Sequence, residues 1–322
     1  TSDKYMLDMD WKDNFKILQL SDIHLANKDN QDDQFAFLDI VISDANKNND
    51  LDMIILTGDL FTFADRATAI RLLDFLDSYN VPWTVTFGNH DEQCYFSVDW
   101  LTGQLNSRSK GRYLGKNNSH CYFKDIQDDK VFGNANFAIN LMENDKVHTQ
   151  IVIMDSNRYN FGEYTGYDYI KQDQIKWFTD LADATKEMNG GSDYVTSYAF
   201  FHIPVPEFDV ARSEYEANGN KDTADTKFIS GTFPGGEGVS CPDVNSGFFE
   251  AARSHGLKGM FVGHDHVNDW ALEYKGVILS YGVTSTDRIY YDHSMLGGTT
   301  ITIKNDNSVE IDRIFHTYSE VE

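Results

Sequence analysis

Leu51-Asp52-Met53-Ile54-Ile55-Leu56-Thr57-Gly58-Asp59 is an apolar, β-prone run that stops abruptly on a glycine and a carboxylate. Shortly after it, Arg66–Tyr79 places Ile70, Leu73 and Leu76 at helical spacing. This unit of strand, polar turn and helix recurs. Strand candidates are Phe15–Leu20, Leu51–Thr57, Val81–Phe87, Gln150–Met154, Tyr198–Phe201, Lys258–Val262 and Val277–Tyr281. Between them lie amphipathic stretches. Asp33–Asn46 carries Phe35, Leu38, Val41 and Ile42, Gln174–Leu181 carries Ile175, Phe178 and Leu181, and a further segment follows Asn245-Ser246 and stops at Gly256. The alternation implies an α/β fold, a sheet covered by helices. Thr299–Ile303 and Val309–Ile314, around Asn305-Asp306-Asn307, read as a β-hairpin.

With no internal repeat, no low-complexity linker and five prolines, a single domain over residues 1–322 is expected. Two segments, 94–119 and 204–242, show no clear period and read as long loops on the rim of the site. The composition is 41% hydrophobic with a net charge of −24, which builds a large core and a strongly acidic surface. Such a surface repels nucleic acid and anionic lipid at long range, so neither a long nucleic acid nor a membrane is an expected partner. Cys94, Cys121 and Cys241 form no CxxC pair and suggest neither a disulfide framework nor a thiolate zinc site. No apolar run approaches the ~20 residues of a membrane span. No signal peptide is visible, a trimmed N-terminus stays open because the chain begins Thr-Ser-Asp, and compartment and oligomeric state are not legible.

Five of the ten histidines fall in short polar clusters, and each cluster ends an apolar strand. Together with Thr57-Gly58-Asp59, the clusters are Ser21-Asp22-Ile23-His24, Gly88-Asn89-His90-Asp91, Phe201-His202-Ile203-Pro204 and Gly263-His264-Asp265-His266. Side chains at the carboxyl ends of neighbouring strands converge on the crevice where open α/β sheets bind ligands. If the strand conformation continues, the i, i+2 spacing keeps Asp22 and His24 on one side. The same spacing unites His264 and His266 and turns Asp265 away. Gly58, Gly88 and Gly263 suit tight turns and close backbone approach. Carboxylate, imidazole and amide donors without thiolate suit two borderline divalent ions such as Mn²⁺, Fe²⁺ or Zn²⁺. Each cluster alone is an ordinary turn or a satisfied histidine. All five in series are not.

The series Asp-x-His, Gly-Asp, Gly-Asn-His-Asp, His, Gly-His-x-His resembles the calcineurin-like metallophosphoesterases, and it spans Asp22 to His266. Phe200–Phe208, Glu237-Gly238-Val239 and Gly263–Asp269 are similar to the branch holding Dcr2-type phosphatases and the purple acid phosphatase-like proteins. The resemblance implies a four-layer α-β-β-α sandwich of two mixed sheets and hydrolysis of phosphomonoesters or small phosphodiesters by in-line attack of a metal-bridging hydroxide. It implies that Asp22, His24 and His266 hold one ion, that Asn89, His202 and His264 hold the other, and that Asp59 bridges. His90 would sit beside the leaving group or the phosphate with Asp91 orienting its ring, and Asn89 would help hold the phosphate oxygens. Two divalent ions beside two carboxylates leave a positive centre that attracts phosphate at contact range despite the acidic surface.

Purple acid phosphatases carry a tyrosine ligand three residues after the bridging aspartate. Here that position is Thr62, so no phenolate chromophore is expected. Arg288 could reach a phosphate oxygen or simply pair with Asp287 or Asp292. Tyr95, Phe96, Tyr290 and Tyr291 could stack on an aromatic leaving group or belong to the core. Cys94 reads as a packed neighbour of the motif. A nucleotide phosphodiesterase or nuclease, and a non-catalytic scaffold of the same fold, are the alternative readings.

Overall fold

The structure is a computed structural model, and it describes residues 2–26, 31–126, 131–162 and 166–321. Two mixed sheets carry the chain. The smaller runs in space through Val309–Phe315, Gly297–Ile303, Phe15–Leu20, Met53–Thr57 and Trp83–Thr86. Its last three strands are parallel and the C-terminal hairpin joins them antiparallel, with Thr300 opposite Leu18. The larger runs through Met6–Asp10, Phe137–Glu143, Lys146–Ile153, Ser197–Phe200, Leu257–Val262, Val277–Tyr281, Ala271–Tyr274 and Thr226–Ser230. Its middle four strands, Lys146–Ile153 to Val277–Tyr281, are mutually parallel.

The sheets pack on each other as the inner layers. Gln19, fully buried, donates across the interface to the carbonyl of Val262 at 3.1 Å, and Thr86 donates to that of Met154 at 2.6 Å. Outside, the helix Gln31–Ala45 covers the smaller sheet, while Glu207–Ala217 and Phe248–Arg253 cover the larger. The helix Gln172–Met188 packs beside Phe248–Arg253. The strands Phe15–Leu20 and Val277–Tyr281 have the bounds expected from sequence, and the tail is the expected hairpin. Among the described residues no helix is long and apolar enough to cross a membrane, and the three cysteines are unpaired.

Two segments correct the sequence reading. Residues 94–119 are not a loop: Val98–Tyr113 is a helix capped by Ser97, whose hydroxyl accepts from Trp100 N at 3.1 Å. Its buried residues Val98, Leu101, Thr102, Leu105 and Ser109 follow helical spacing, but two are hydroxylated, which hid the stripe. Residues 204–242 likewise contain the helix Glu207–Ala217 and the edge strand Thr226–Ser230. The strands Met6–Asp10, Phe137–Glu143 and Ala271–Tyr274 were also not expected.

Met53–Thr57 is buried along its whole length, so Ile54 and Ile55 lose contact with water on opposite faces. Ile54→Ala and Ile55→Ala should each lower unfolding stability by about 2–5 kcal/mol. Glu310→Ala, on the half-exposed edge strand, should stay within about 0.5 kcal/mol of the parent. Urea unfolding midpoints check this, and a silent change at either isoleucine would mean that one face of the strand is not packed.

Candidate metal centre

The parallel strands of both sheets end at one place. Asp22 and His24 follow Phe15–Leu20, Asp59 follows Met53–Thr57, and Asn89 follows Trp83–Thr86. From the larger sheet, His202 follows Ser197–Phe200, and His264 and His266 follow Leu257–Val262. All seven residues are buried, His264 being the most accessible at 7%.

Their convergence does not come from strands that simply continue. Asp22 (φ 51°), His24 (φ 45°), Asp59 (φ 49°) and His264 (φ 78°) all occupy the left-handed region, which aspartate and histidine tolerate better than bulkier residues. Each such residue costs about 1–3 kcal/mol, and such costs cluster at functional sites. The turned loops are laced together by hydrogen bonds from Asp22 N to Gly58 O at 3.1 Å and from His24 N to Asp59 O at 3.0 Å. Two glycines permit the approach. A Cβ on Gly88 would lie 2.2 Å from Asp59 Oδ1, and one on Gly263 would lie 1.9 Å from Ser21 Oγ.

The donors form two clusters, Asp22–His24–His266 and Asp59–His202–His264. His24 Nε2 faces His266 Nε2 at 3.2 Å, and Asp22 Oδ1 lies 3.3 Å from His266 Nε2. Asp59 Oδ2 reaches toward both clusters, 3.1 Å from His202 Nε2 and 3.7 Å from His24 Nε2. Asn89 Oδ1 stands 3.2 Å from His202 Nε2. Asp22 Oδ1 and His264 Nε2 are buried without a hydrogen-bond partner. Among the described residues neither atom has a hydrogen-bond partner, and two such buried atoms in clusters of imidazoles and carboxylates fit a pair of cations.

The ring nitrogens facing away from the cluster are held by neutral oxygens. His202 Nδ1 bonds Thr57 O at 2.7 Å, His266 Nδ1 bonds Tyr290 O at 2.9 Å, and His24 Nδ1 bonds Thr62 Oγ1 at 2.7 Å. Thr62 therefore holds the ring of a cluster histidine. These bonds fix which nitrogen faces inward. Burial opposes ionisation of Asp22, but His202 and His266 outweigh it and hold the carboxyl well below its usual range. Burial likewise opposes a charge on His202, yet Asp59 and Asp22 raise it to about 10, so cation binding at these acceptors would release a proton. Burial keeps His24 and His264 neutral, each lowered to about 4.

Asp91 has a different task from the one expected. It does not orient His90, whose Nδ1 lies 2.8 Å from Gln93 Oε1. Asp91 instead accepts the backbone N–H groups of Leu60 at 2.8 Å, Phe61 at 3.1 Å and Gly88 at 2.7 Å. It thereby staples the Asp59 loop to the Asn89–His90 loop. Burial and the Asp59 charge push its carboxyl up to about 7, and the Gly88 N–H and Arg158 counter them. His90 itself donates its backbone N–H to Asp59 Oδ1 at 2.9 Å and sets its ring at an angle to His24, centroids 5.6 Å apart. Asp265 turns away as expected, accepting from Ser240 N and Tyr281 OH.

Arg288 pairs with Asp287 at 3.7 Å. Phe96 belongs to the core, Tyr95 is exposed, and Tyr291 packs against His293. Burial pushes the Cys94 thiol up to about 12, in keeping with a packed neighbour. Tyr290 stacks on His266, centroids 4.3 Å apart, and its hydroxyl donates to Glu237.

Sequence reasoning missed Gln93, Tyr159 and Tyr167. Tyr159 OH accepts from Asn89 Nδ2 at 2.7 Å, and the Tyr167 ring meets His264 edge-on at 4.4 Å. The available signal was a sixth strand, Gln150–Met154, that also runs into polar residues, Asp155-Ser156-Asn157. Tyr159 further lines a groove of about 810 Å³ with Glu92, Asp99, Arg158 and Phe161.

The sequence model of the family described as "Calcineurin-like phosphoesterase" matches residues 15–268. The chain is similar to "Probable inactive purple acid phosphatase 29" of Arabidopsis thaliana, 28% identical over 304 residues that cover 83% of this chain and 71% of that protein. It is also similar to "Phosphatase DCR2" of Saccharomyces cerevisiae, 27% identical over 278 residues, 80% of this chain and 45% of the yeast protein. A solved structure described as "GAP50 the anchor in the inner membrane complex of Plasmodium" shares the fold, with a TM-score of 0.52 at 12% identity over 97% of this chain and 87% of that one.

If Asp91 is a backbone staple, Asp91→Ala should cost about 3 kcal/mol or more, since three buried N–H groups lose their acceptor. Gln93→Ala should leave stability within about 1 kcal/mol. Thermal unfolding of the two variants decides between a staple and a ring-orienting role, because the latter would leave Asp91→Ala stable.

Proposed function

The chain belongs to the calcineurin-like phosphoesterase family, and from that premise we propose that it is a dinuclear metal-dependent hydrolase of phosphomonoesters or small phosphodiesters. The observation that carries this reading is Asp59 Oδ2, set between His202 and His24 so that one carboxylate serves both clusters. Asp22, His24 and His266 would hold one divalent ion, and His202, His264 and Asn89 the other, with Asp59 shared. When bound, such a pair supplies Lewis acidity toward phosphoryl oxygens and lowers the pKa of an attacking water. The donor set leaves Mn²⁺, Fe²⁺ and Zn²⁺ open and disfavours a ferric–phenolate pair, since Thr62 is engaged with His24.

The protein's own groups supply the rest. Asp22 and Asp59 bring two negative charges into a buried site, enough to hold two divalent ions and still leave a cationic face toward phosphate. His90 stands beside the cluster without joining it, and Gln93 Oε1 accepts the Nδ1 proton. With Nδ1 so engaged, Nε2 faces outward, and a ring carrying a proton on both nitrogens would pass the Nε2 proton to a departing alkoxide and return to the neutral form with Nδ1–H still on Gln93. The Asp91 staple holds His90 and Asp59 in fixed relation, so a proton donor and the shared carboxylate move as one unit. The acidic surface, net −24, supports small esters over long nucleic acids.

A second reading, a non-catalytic metal-binding protein of the same fold, is favoured by the word "inactive" in the name of the plant relative. Turnover separates the two. Protein loaded with Mn²⁺ or Zn²⁺ should hydrolyse p-nitrophenyl phosphate or bis-p-nitrophenyl phosphate and lose that activity to a chelator. His90→Ala should keep the metal content and lower kcat by about 10²–10⁴-fold on alkyl phosphates, where the leaving group needs a proton. The loss should be smaller on nitrophenyl esters. Full metal content without turnover on either ester would leave the non-catalytic reading, and a His90 effect independent of the leaving group would remove the proton-donor role.

A further inference from the structure

We propose that Tyr159 is a positioning residue for the metal centre, anchoring the Asn89 amide so that its oxygen stays within reach of the cations. The inference rests on the dinuclear reading of the site. An asparagine amide has two ends of opposite chemistry: the oxygen can bind a cation, whereas the NH₂ group only repels it. Asn89 is 1% exposed, so water does not select between the ends. Its Oδ1 lies 3.2 Å from His202 Nε2, on the side of the cluster, and its Nδ2 donates to Tyr159 OH at 2.7 Å. Rotating the amide by half a turn would aim NH₂ at His202 Nε2 and at the cations, whereas Tyr159, whose hydroxyl can donate as well as accept, would keep a hydrogen bond to either end. The cluster side selects the oxygen end, and the phenol pins the far end of the amide so that the oxygen is held there and does not swing away.

Tyr159 is itself held for this task. The strand Tyr159–Asn160 pairs with Gly166–Tyr167, which sets Tyr159 opposite Tyr167. The two rings stack at 5.9 Å with their planes 27° apart, and the Tyr167 ring meets His264 edge-on. On the preceding residue, Arg158 is tied to the buried Asp155 at 2.7 Å. One strand pair thus touches two donors of the same cation position, Asn89 through a hydroxyl and His264 through a ring edge. Among the described residues, Asn89 is the hydrogen-bond partner of the Tyr159 hydroxyl, so removing that oxygen disturbs one bond and leaves the ring packing in place.

The test is calorimetric titration of Mn²⁺ into protein stripped with a chelator, which needs no turnover. Wild type should show two binding events. Tyr159→Phe should weaken one of them by about 10-fold and leave the other, the size expected when a partner of a metal ligand is lost. Asn89→Ala should weaken the same event, and the double variant should be no weaker than Asn89→Ala alone, because Tyr159 acts only through that amide. Tyr167→Phe, which keeps the ring edge on His264, should match wild type. Wild-type affinities in Tyr159→Phe would overturn the proposal, as would an equal further loss when it is added to Asn89→Ala. A Tyr159→Phe protein that no longer folds would make Tyr159 a support of the fold and overturn it too. A wild-type protein that binds no Mn²⁺ would overturn the dinuclear reading itself, whereas two events untouched by Tyr159→Phe would overturn the positioning role alone.

Discussion

Two carboxylates, Asp22 and Asp59, are buried almost completely in the same small volume, and the rest of the structure makes that arrangement tolerable. Neither charge could survive there alone, because the desolvation cost of an unpaired ion amounts to several kcal/mol. Asp22 Oδ2 takes hydrogen bonds from Ser21 Oγ at 2.6 Å and His264 N at 3.0 Å, and Asp59 Oδ1 takes one from His90 N. The other oxygen of each carboxylate is turned toward imidazoles. The packing of the two sheets follows from the same need, since the carboxylates come from one sheet and three of the four imidazoles from the other. A single sheet could not surround them.

The support around three of the four imidazoles, His24, His202 and His266, is chemically uniform. Thr57 O, Tyr290 O and Thr62 Oγ1 are all neutral acceptors, which set the ring orientation without adding charge. A carboxylate behind each ring would have deepened the negative charge of a site that already holds two. The carboxylates aimed into the cluster are Asp22 and Asp59, while Asp91 sits behind the loops among three backbone donors and Asp265 is turned onto Ser240 N and Tyr281 OH. The left-handed residues are the cost of turning so many donors inward at once.

Much of this was legible in the sequence because apolar strands that end in polar clusters leave an unmistakable pattern, and because each motif is contiguous. Phe15–Leu20 and Val277–Tyr281 could be bounded to the residue. What failed had specific causes. The i, i+2 spacing of Asp22 and His24 suggested a continuing strand, while the real convergence uses backbone reversals that spacing does not encode. Asp91 adjoins His90 in sequence, yet its three partners are main-chain groups, which have no sequence signature. Tyr159 lies 70 positions from Asn89, and nothing local marks a tyrosine as the partner of a distant amide. The helix Val98–Tyr113 was hidden because Thr102 and Ser109 occupy positions on its buried stripe.

The order of strands also governs when these pieces can meet. Leu7 pairs with Ile139, and Leu18 is flanked by Ile54 on one side and Thr300 on the other. Neither sheet can therefore close by local zipping, because each waits for segments far along the chain to return. Chains dominated by such distant pairings lose loop entropy before contacts repay it, and they fold slowly, on scales of milliseconds to seconds. The cluster inherits that schedule, since Asp22 and His266 come together only once both sheets have met. Capacity to hold metal should thus emerge late in refolding, behind most of the secondary structure.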